Sequence, residues 1–76
     1  MRKRSVNLQG HATSVSLEDE YWAELKRMAA ESGIPVAALI ERIDGARQVA
    51  NLSSALRLAV LADLKAKGAA ASPPVI

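Results

Sequence analysis

Polar and apolar positions change period along this chain, and each change marks a predicted element. Residues Lys3 to Leu8 alternate, with Val6 and Leu8 on one side, and Thr13 to Leu17 alternate again. Period two is the spacing of a strand. From Tyr21 the period lengthens. Tyr21, Trp22, Leu25, Met28 and Ala29 fall on one helical stripe. The stripe predicts a first helix over about 19–31, with Asp19 and Glu20 in its first turn, where the helix dipole favours negative charge. Gly33 suits the left-handed position that ends a helix. Ile34, before Pro35, is biased to extended backbone. Pro35 fits the first position of a second helix, where its missing N–H costs nothing. Val36, Leu39, Ile40 and Ile43 give that helix one apolar face. Asn51 or Ser53 can cap a third helix. It is expected to run to about Lys67, with Leu52, Leu56, Ala59, Val60 and Leu64 inward. Leu58, Leu61 and Ala62 widen its stripe, so it is either buried on two sides or meets another chain. Gly68 is expected to stop it. Residues 68–76, with Ser72-Pro73-Pro74, read as a disordered tail.

A strand cannot stand alone, because its backbone N–H and C=O groups need partners. Gln9-Gly10 offers a two-residue hairpin turn, since Gly10 takes positive φ freely. That loop sets Leu8 against His11, Val6 against Thr13 and Arg4 against Val15. One face is then largely apolar. The other carries Lys3, Ser5, Asn7, Ala12, Ser14 and Ser16. A three-residue loop would mix the faces, so parity favours two. The alternative is an amino-terminal arm followed by one strand that pairs with a second copy.

The chain has 76 residues, so one domain is expected, over 1–67. At this size only about 60 % of the unfolded surface is buried. With no Cys, no disulfide or thiolate metal site can staple the fold. There is no Phe, one Trp and one Tyr, and such aliphatic chains often complete their core by oligomerising. Residues 1–17 hold three basic residues and no acid, and the remainder seven basic and eight acidic. The positive field therefore sits on Arg2, Lys3 and Arg4, which suits a polyanion; a solubilising basic end is the bland reading. No apolar run approaches the roughly 20 residues of a membrane span, and no apolar stretch follows Arg4 to make a signal peptide. A cytoplasmic protein without membrane contact is expected.

Catalytic chemistry is missing from the sequence. There is no phosphate-binding glycine loop. The one His, His11, cannot build a multi-His metal site. His11, Asp44 and Arg47 read better as surface groups, with Asp44 and Arg47 spaced for a helix ion pair. No cofactor, no metal and no enzyme activity are expected. Trp22, at helical spacing with Leu25 and Ala29, reads as core rather than as a stacking platform for a nucleobase.

Strand, helix, a turn with Gly33 and a second helix resemble the ribbon-helix-helix (Arc/MetJ-type) class of bacterial DNA-binding proteins over roughly 11–47. The larger pattern comprises Lys3-Arg4-Ser5-Val6, Gly10-His11, Thr13-Ser14-Val15-Ser16-Leu17-Glu18, Trp22, Ile43-Asp44, Arg47 and Asn51-Leu52-Ser53-Ser54-Ala55-Leu56-Arg57. It resembles one family in that class, small bacterial proteins with an added carboxy-terminal helix. The resemblance implies a mainly α fold with an amino-terminal strand or hairpin, assembled as an intertwined homodimer. It implies a transcriptional regulator that lays a two-stranded ribbon in the roughly 12 Å major groove of double-stranded DNA. By that analogy Ala12, Ser14 and Ser16 face the bases, and Thr13, Val15 and Leu17 face the core. Phosphates would be met by Arg2, Lys3, Arg4 and the N–H groups near Val36 and Ala37, with Lys26 and Arg27 as further candidates.

This chain departs from the pattern in two places. Ala12, Ser14 and Ser16 are short, where sequence-reading ribbons present Arg, Lys, Asn or Gln. Pro35 stands where Ser or Thr often precedes the second helix. If 3–8 forms a hairpin strand, a dimer has a four-stranded sheet, broader than the groove, and DNA contact is expected to be shallow and phosphate-driven or absent. The alternative is a protein-interaction module, an obligate dimer or higher homo-oligomer, antitoxin-like or scaffold, with weak or no sequence-specific DNA binding, motivated by Leu58, Leu61 and Ala62.

Overall fold

Gln9 and Gly10 both hold positive φ, 53° and 84°, and turn the chain back on itself. Positive φ at both central residues matches the twist of the flanking strands, so the turn closes a hairpin. The computed structural model describes residues 2–46 and 50–71, with side chains through residue 68 in the last helix. Strand β1 (Arg2–Leu8) pairs antiparallel with β2 (His11–Leu17). The register is the one parity predicts: Leu8 opposite His11, Val6 opposite Thr13, Arg4 opposite Val15. The arm-and-single-strand alternative is thereby set aside.

Helix α1 spans Asp19–Ser32, with Asp19 and Glu20 in its first turn. Gly33 ends it at φ 69°, ψ 29°. Its N–H donates to the Ala30 carbonyl at 3.1 Å and the Ile34 N–H to Ala29 at 3.0 Å, which satisfies two carbonyls left over at the helix end. Helix α2 spans Val36–Ala46. Pro35 sits one place earlier than expected. Its carbonyl accepts the first helical bond, from Leu39 at 3.2 Å, so Pro35 is the cap and Val36 the first helical residue.

Helix α3 spans Leu52–Ala71. Asn51 is its cap: Oδ1 accepts the Ser54 N–H at 3.1 Å. The expected stop at Gly68 is corrected, since the helix continues to Ala71. Gly68 does not take the positive φ that a left-handed stop requires. A helical glycine costs about 1 kcal/mol relative to alanine, and Ala69-Ala70-Ala71, the best helix former three times over, carry the helix through. The tail expected from residue 68 therefore starts as helix, and 72–76 lie outside the described residues.

The helices pack on one face of the hairpin. Val6, Val15 and Leu17 join Leu25 and Ala29 of α1, Leu39 and Ile40 of α2, and Leu56 and Val60 of α3 in one core. Trp22, Tyr21 and Met28 are partly buried against it, as the stripe predicts. Leu64, expected inward, is 44 % exposed.

Ion pairs align α1 with α3. Glu18 meets Arg57 at 3.0 Å, Arg27 meets Asp63 at 2.7 Å, and Glu31 meets Lys67 at 3.0 Å. The numbers rise together, so the two helices run parallel. Arg27 also reaches Glu24 at 2.7 Å and Glu31 at 3.1 Å. Glu18 is held below the usual carboxylate range by its own backbone N–H and by Arg57. Glu31 is held low by Lys67 first and then by Arg27. Arg27 keeps its proton more firmly than a free guanidinium, chiefly through Asp63 and then Glu24.

Candidate nucleic-acid interface

Alternation divides the hairpin into two faces. Val6, Val15 and Leu17 are buried under the helices. Lys3, Ser5, Asn7, Ala12 and Ser14 are exposed on the opposite face, and Ser16 is half-buried there. No described helix covers that face, because all three pack against the other. It is polar and smooth: Ala and Ser along β2, with Lys3 and Asn7 along β1.

The backbone of β2 is as informative as its side chains. Residues flanking a two-residue hairpin turn exchange hydrogen bonds, and bonded pairs then recur at every second position. Leu8–His11, Val6–Thr13 and Arg4–Val15 are the bonded pairs in this register. The N–H and C=O groups of Ala12, Ser14 and Ser16 therefore point off the other edge of β2, away from β1.

The structure separates the three amino-terminal cations. Lys3 alone projects with Ala12, Ser14 and Ser16. Arg4 shares the inner face with Val6. Its guanidinium lies 4.7 Å from the centre of the Trp22 ring and donates to Asp19 at 3.3 Å. Arg2, at the rim, has a side chain 65 % exposed and comes within 3.8 Å of the same Asp19 carboxylate. An exposed pair at that distance is weak and can exchange for a phosphate. The Asp19 contact is not evident in the sequence pattern, although strand parity places Arg4 with Val6 and hence beside the start of α1.

Val36 and Ala37 open α2 in the helical layer, both half-buried. Their N–H groups belong to the first turn, where a helix offers no carbonyl partner. They are not brought onto the outer hairpin face. Arg27 is committed to Asp63, Glu24 and Glu31, whereas Lys26 is exposed. Of the suggested surface groups, His11 and Asp44 line one hollow of about 370 Å³ at the hairpin tip, beside Glu41, whose carboxylate accepts the Gln9 N–H at 2.8 Å. Arg47 lies outside the described residues. No cluster of three His, Asp or Glu side chains able to hold a metal occurs among the described residues. Within the same residues no helix is long and apolar enough to cross a membrane.

A strand-helix-helix unit behind a polar strand face that no described helix covers is the architecture of a class of small DNA-binding domains. A ribbon-helix-helix family model matches residues 1–64. The chain belongs to the ribbon-helix-helix domain family, in general a family of DNA-binding regulators. Among solved structures it is similar to an uncharacterized protein from Bordetella pertussis Tohama I, with 42 % identity and a TM-score of 0.70. The match covers 88 % of this chain and 59 % of that one, so this chain spans well under two thirds of that protein's length. No curated protein matches.

Proposed function

We propose that the chain acts as a homodimeric DNA-binding regulator of transcription in the cytoplasm, and that it reads shape and charge more than base sequence. The observation that carries this reading is the uncovered outer face of the hairpin beside the unpaired backbone edge of β2. Two copies joined along that edge, with Ser14 at the two-fold axis, give a sheet ordered β1-β2-β2-β1. Ser14 then pairs with its own copy, and Ala12 with Ser16. Strands are about 4.8 Å apart, so four strands measure about 14 Å between the outer pair. That exceeds the roughly 12 Å groove width. The sheet therefore lies across the mouth of the groove.

The short side chains of Ala12, Ser14 and Ser16 suit this arrangement, because they let the central strands approach the base edges. Serine bonds several bases without fixing one. Each Lys3 sits on an outer strand and reaches the phosphates flanking the groove, joined by Arg2 once it leaves Asp19. No catalytic step, metal or cofactor enters this account. Fluorescence anisotropy on mixed-sequence duplex tests it. Lys3→Ala is expected to weaken binding about equally on every sequence, and Arg4→Ala to act mainly through stability. A Lys3→Ala protein that binds as the parent does contradicts the proposal.

A second reading has its own observation. Leu58, Leu61 and Leu64 are 53 %, 46 % and 44 % exposed. A stripe of that kind also suits a dimeric interaction module, antitoxin-like or scaffold, whose partner is a protein. No DNA binding at low salt would favour it.

A further inference from the structure

Helix α3 leaves its own bundle with an apolar face. Leu56 and Val60 are 0 % and 1 % exposed, whereas Leu58, Leu61 and Leu64 stand open. At 3.6 residues per turn, Leu58 and Leu61 lie across the helix from Leu56. Leu64 borders a shallow groove with Val60 and, from α1, Tyr21. The stripe thus runs from the flank of α1 to the side of α3 that faces no other element among the described residues.

Its place in the fold says what covers it. Helix α2 lies against β1 and α3 against β2. The helical layer follows the strand order, so α3 sits under the strand whose far edge is unpaired. A copy added at that edge brings its own α3 alongside.

We propose that the Leu58–Leu61–Leu64 face is covered by a second copy of this chain, the two α3 helices packing antiparallel about the axis that joins the β2 edges. The proposal rests on the ribbon reading above and adds the carboxy-terminal helix to the dimer core. Three further observations support it. First, strand pairing is too small alone. A strip of seven residues is about 23 Å long and about 5 Å wide, of the order of 100 Å², where a stable interface needs roughly 800 Å² per partner. Second, a two-fold axis normal to the sheet makes equivalent helices antiparallel, and the spacing Leu58-x-x-Leu61-x-x-Leu64 reads alike in both directions. Leu61 then meets its own copy and Leu58 meets Leu64, a self-complementary patch. Third, the charges beside the stripe permit it. Arg57, which this pairing brings toward Lys65 of the other copy, is already held at 3.0 Å by Glu18.

The chain has no cysteine, so single cysteines placed in the full-length protein report geometry directly. Leu61→Cys is expected to oxidise to a covalent dimer and Ala66→Cys, an exposed position on another side of α3, is not. Leu58→Glu/Leu61→Glu is expected to raise the dimer dissociation constant at least 100-fold in sedimentation equilibrium, with the far-UV circular dichroism of the monomer unchanged. A dimer that survives this double substitution, with Leu61→Cys cross-linking no better than Ala66→Cys, overturns the proposal. Ser14→Pro separates it from the ribbon reading, because it removes an N–H that points off the edge and none that the hairpin uses. A parent dimer lost in Ser14→Pro but kept in the leucine variant upholds the ribbon and removes the helix contact. A dimer that survives Ser14→Pro but is lost in the leucine variant upholds the helix contact and removes the ribbon. A parent chain that stays monomeric at high micromolar concentration overturns both, and leaves a foreign protein as the occupant of the stripe.

Discussion

Gln9 holds φ at 53°, the one non-glycine residue with positive φ among those described. A side chain there costs about 1 kcal/mol or more, and asparagine tolerates the conformation better. Its N–H bond to Glu41 is a backbone bond and survives substitution. Gln9→Asn is therefore expected to stabilise the fold by about 0.5–1 kcal/mol, read as a higher thermal midpoint. Gly10 has open space around it, so the cost of Gly10→Val comes only from its backbone at φ 84°. A loss of about 1–2 kcal/mol is expected. In the core, Leu25 and Leu56 are both 0 % exposed. Either leucine changed to alanine should cost about 2–5 kcal/mol by denaturant unfolding, a large share of the stability of a chain this short. These residues are legible in the sequence. Asp19 reads there only as a first-turn acid, and its hold on Arg2 and Arg4 depends on where the hairpin crosses the start of α1.

Among the elements, the hairpin, α1 and α2 follow from local signals. Period, parity at Gln9-Gly10, and Gly33 each act over a few residues. The end of α3 does not, because Gly68 is a stop signal only if the residues beyond it abandon the helix. Ala69 to Ala71 do not abandon it. Gly68→Ala should then raise stability by up to about 1 kcal/mol and increase helical ellipticity; lower helicity would contradict an uninterrupted α3. The parallel contact between α1 and α3 is also hidden from local signals, since its ion pairs join residues 36 and 39 apart. It carries a pH dependence. Glu18 and Glu31 have folded pKa values below the ordinary 4.5. Their contribution is complete above that value and fades as pH falls through the lowered folded values. The melting temperature should hold from neutral pH to about 5 and decline below 4.5. Replacing Glu18 and Glu31 by glutamine should flatten that decline.

For the whole molecule, the two-sided hairpin is the feature that matters. One face closes the core and no described helix covers the other, so folding uses one set of alternate residues and leaves the other set for the DNA contact proposed above. The sequence pattern reveals that division and the family. It does not reveal that the basic cluster divides as well, with Lys3 outward, Arg4 against Trp22 and Arg2 between them. Parity assigns side chains to faces, but only the packed helices show which face they cover and which they leave exposed among the described residues. With Lys3 and Arg2 from each of two chains meeting phosphates, a dimer makes about four contacts. The logarithm of its association constant should then fall with the logarithm of salt at a slope of about −4, rather than the −5 or so of three cations per chain. The most direct measurement is that slope, taken by fluorescence anisotropy on a mixed-sequence duplex across a salt series. A slope of about −4 for the parent, reduced to about −2 in Lys3→Ala, is the expected result. A flat response, or one that Lys3→Ala leaves unchanged, would contradict DNA binding by the outer face of the hairpin.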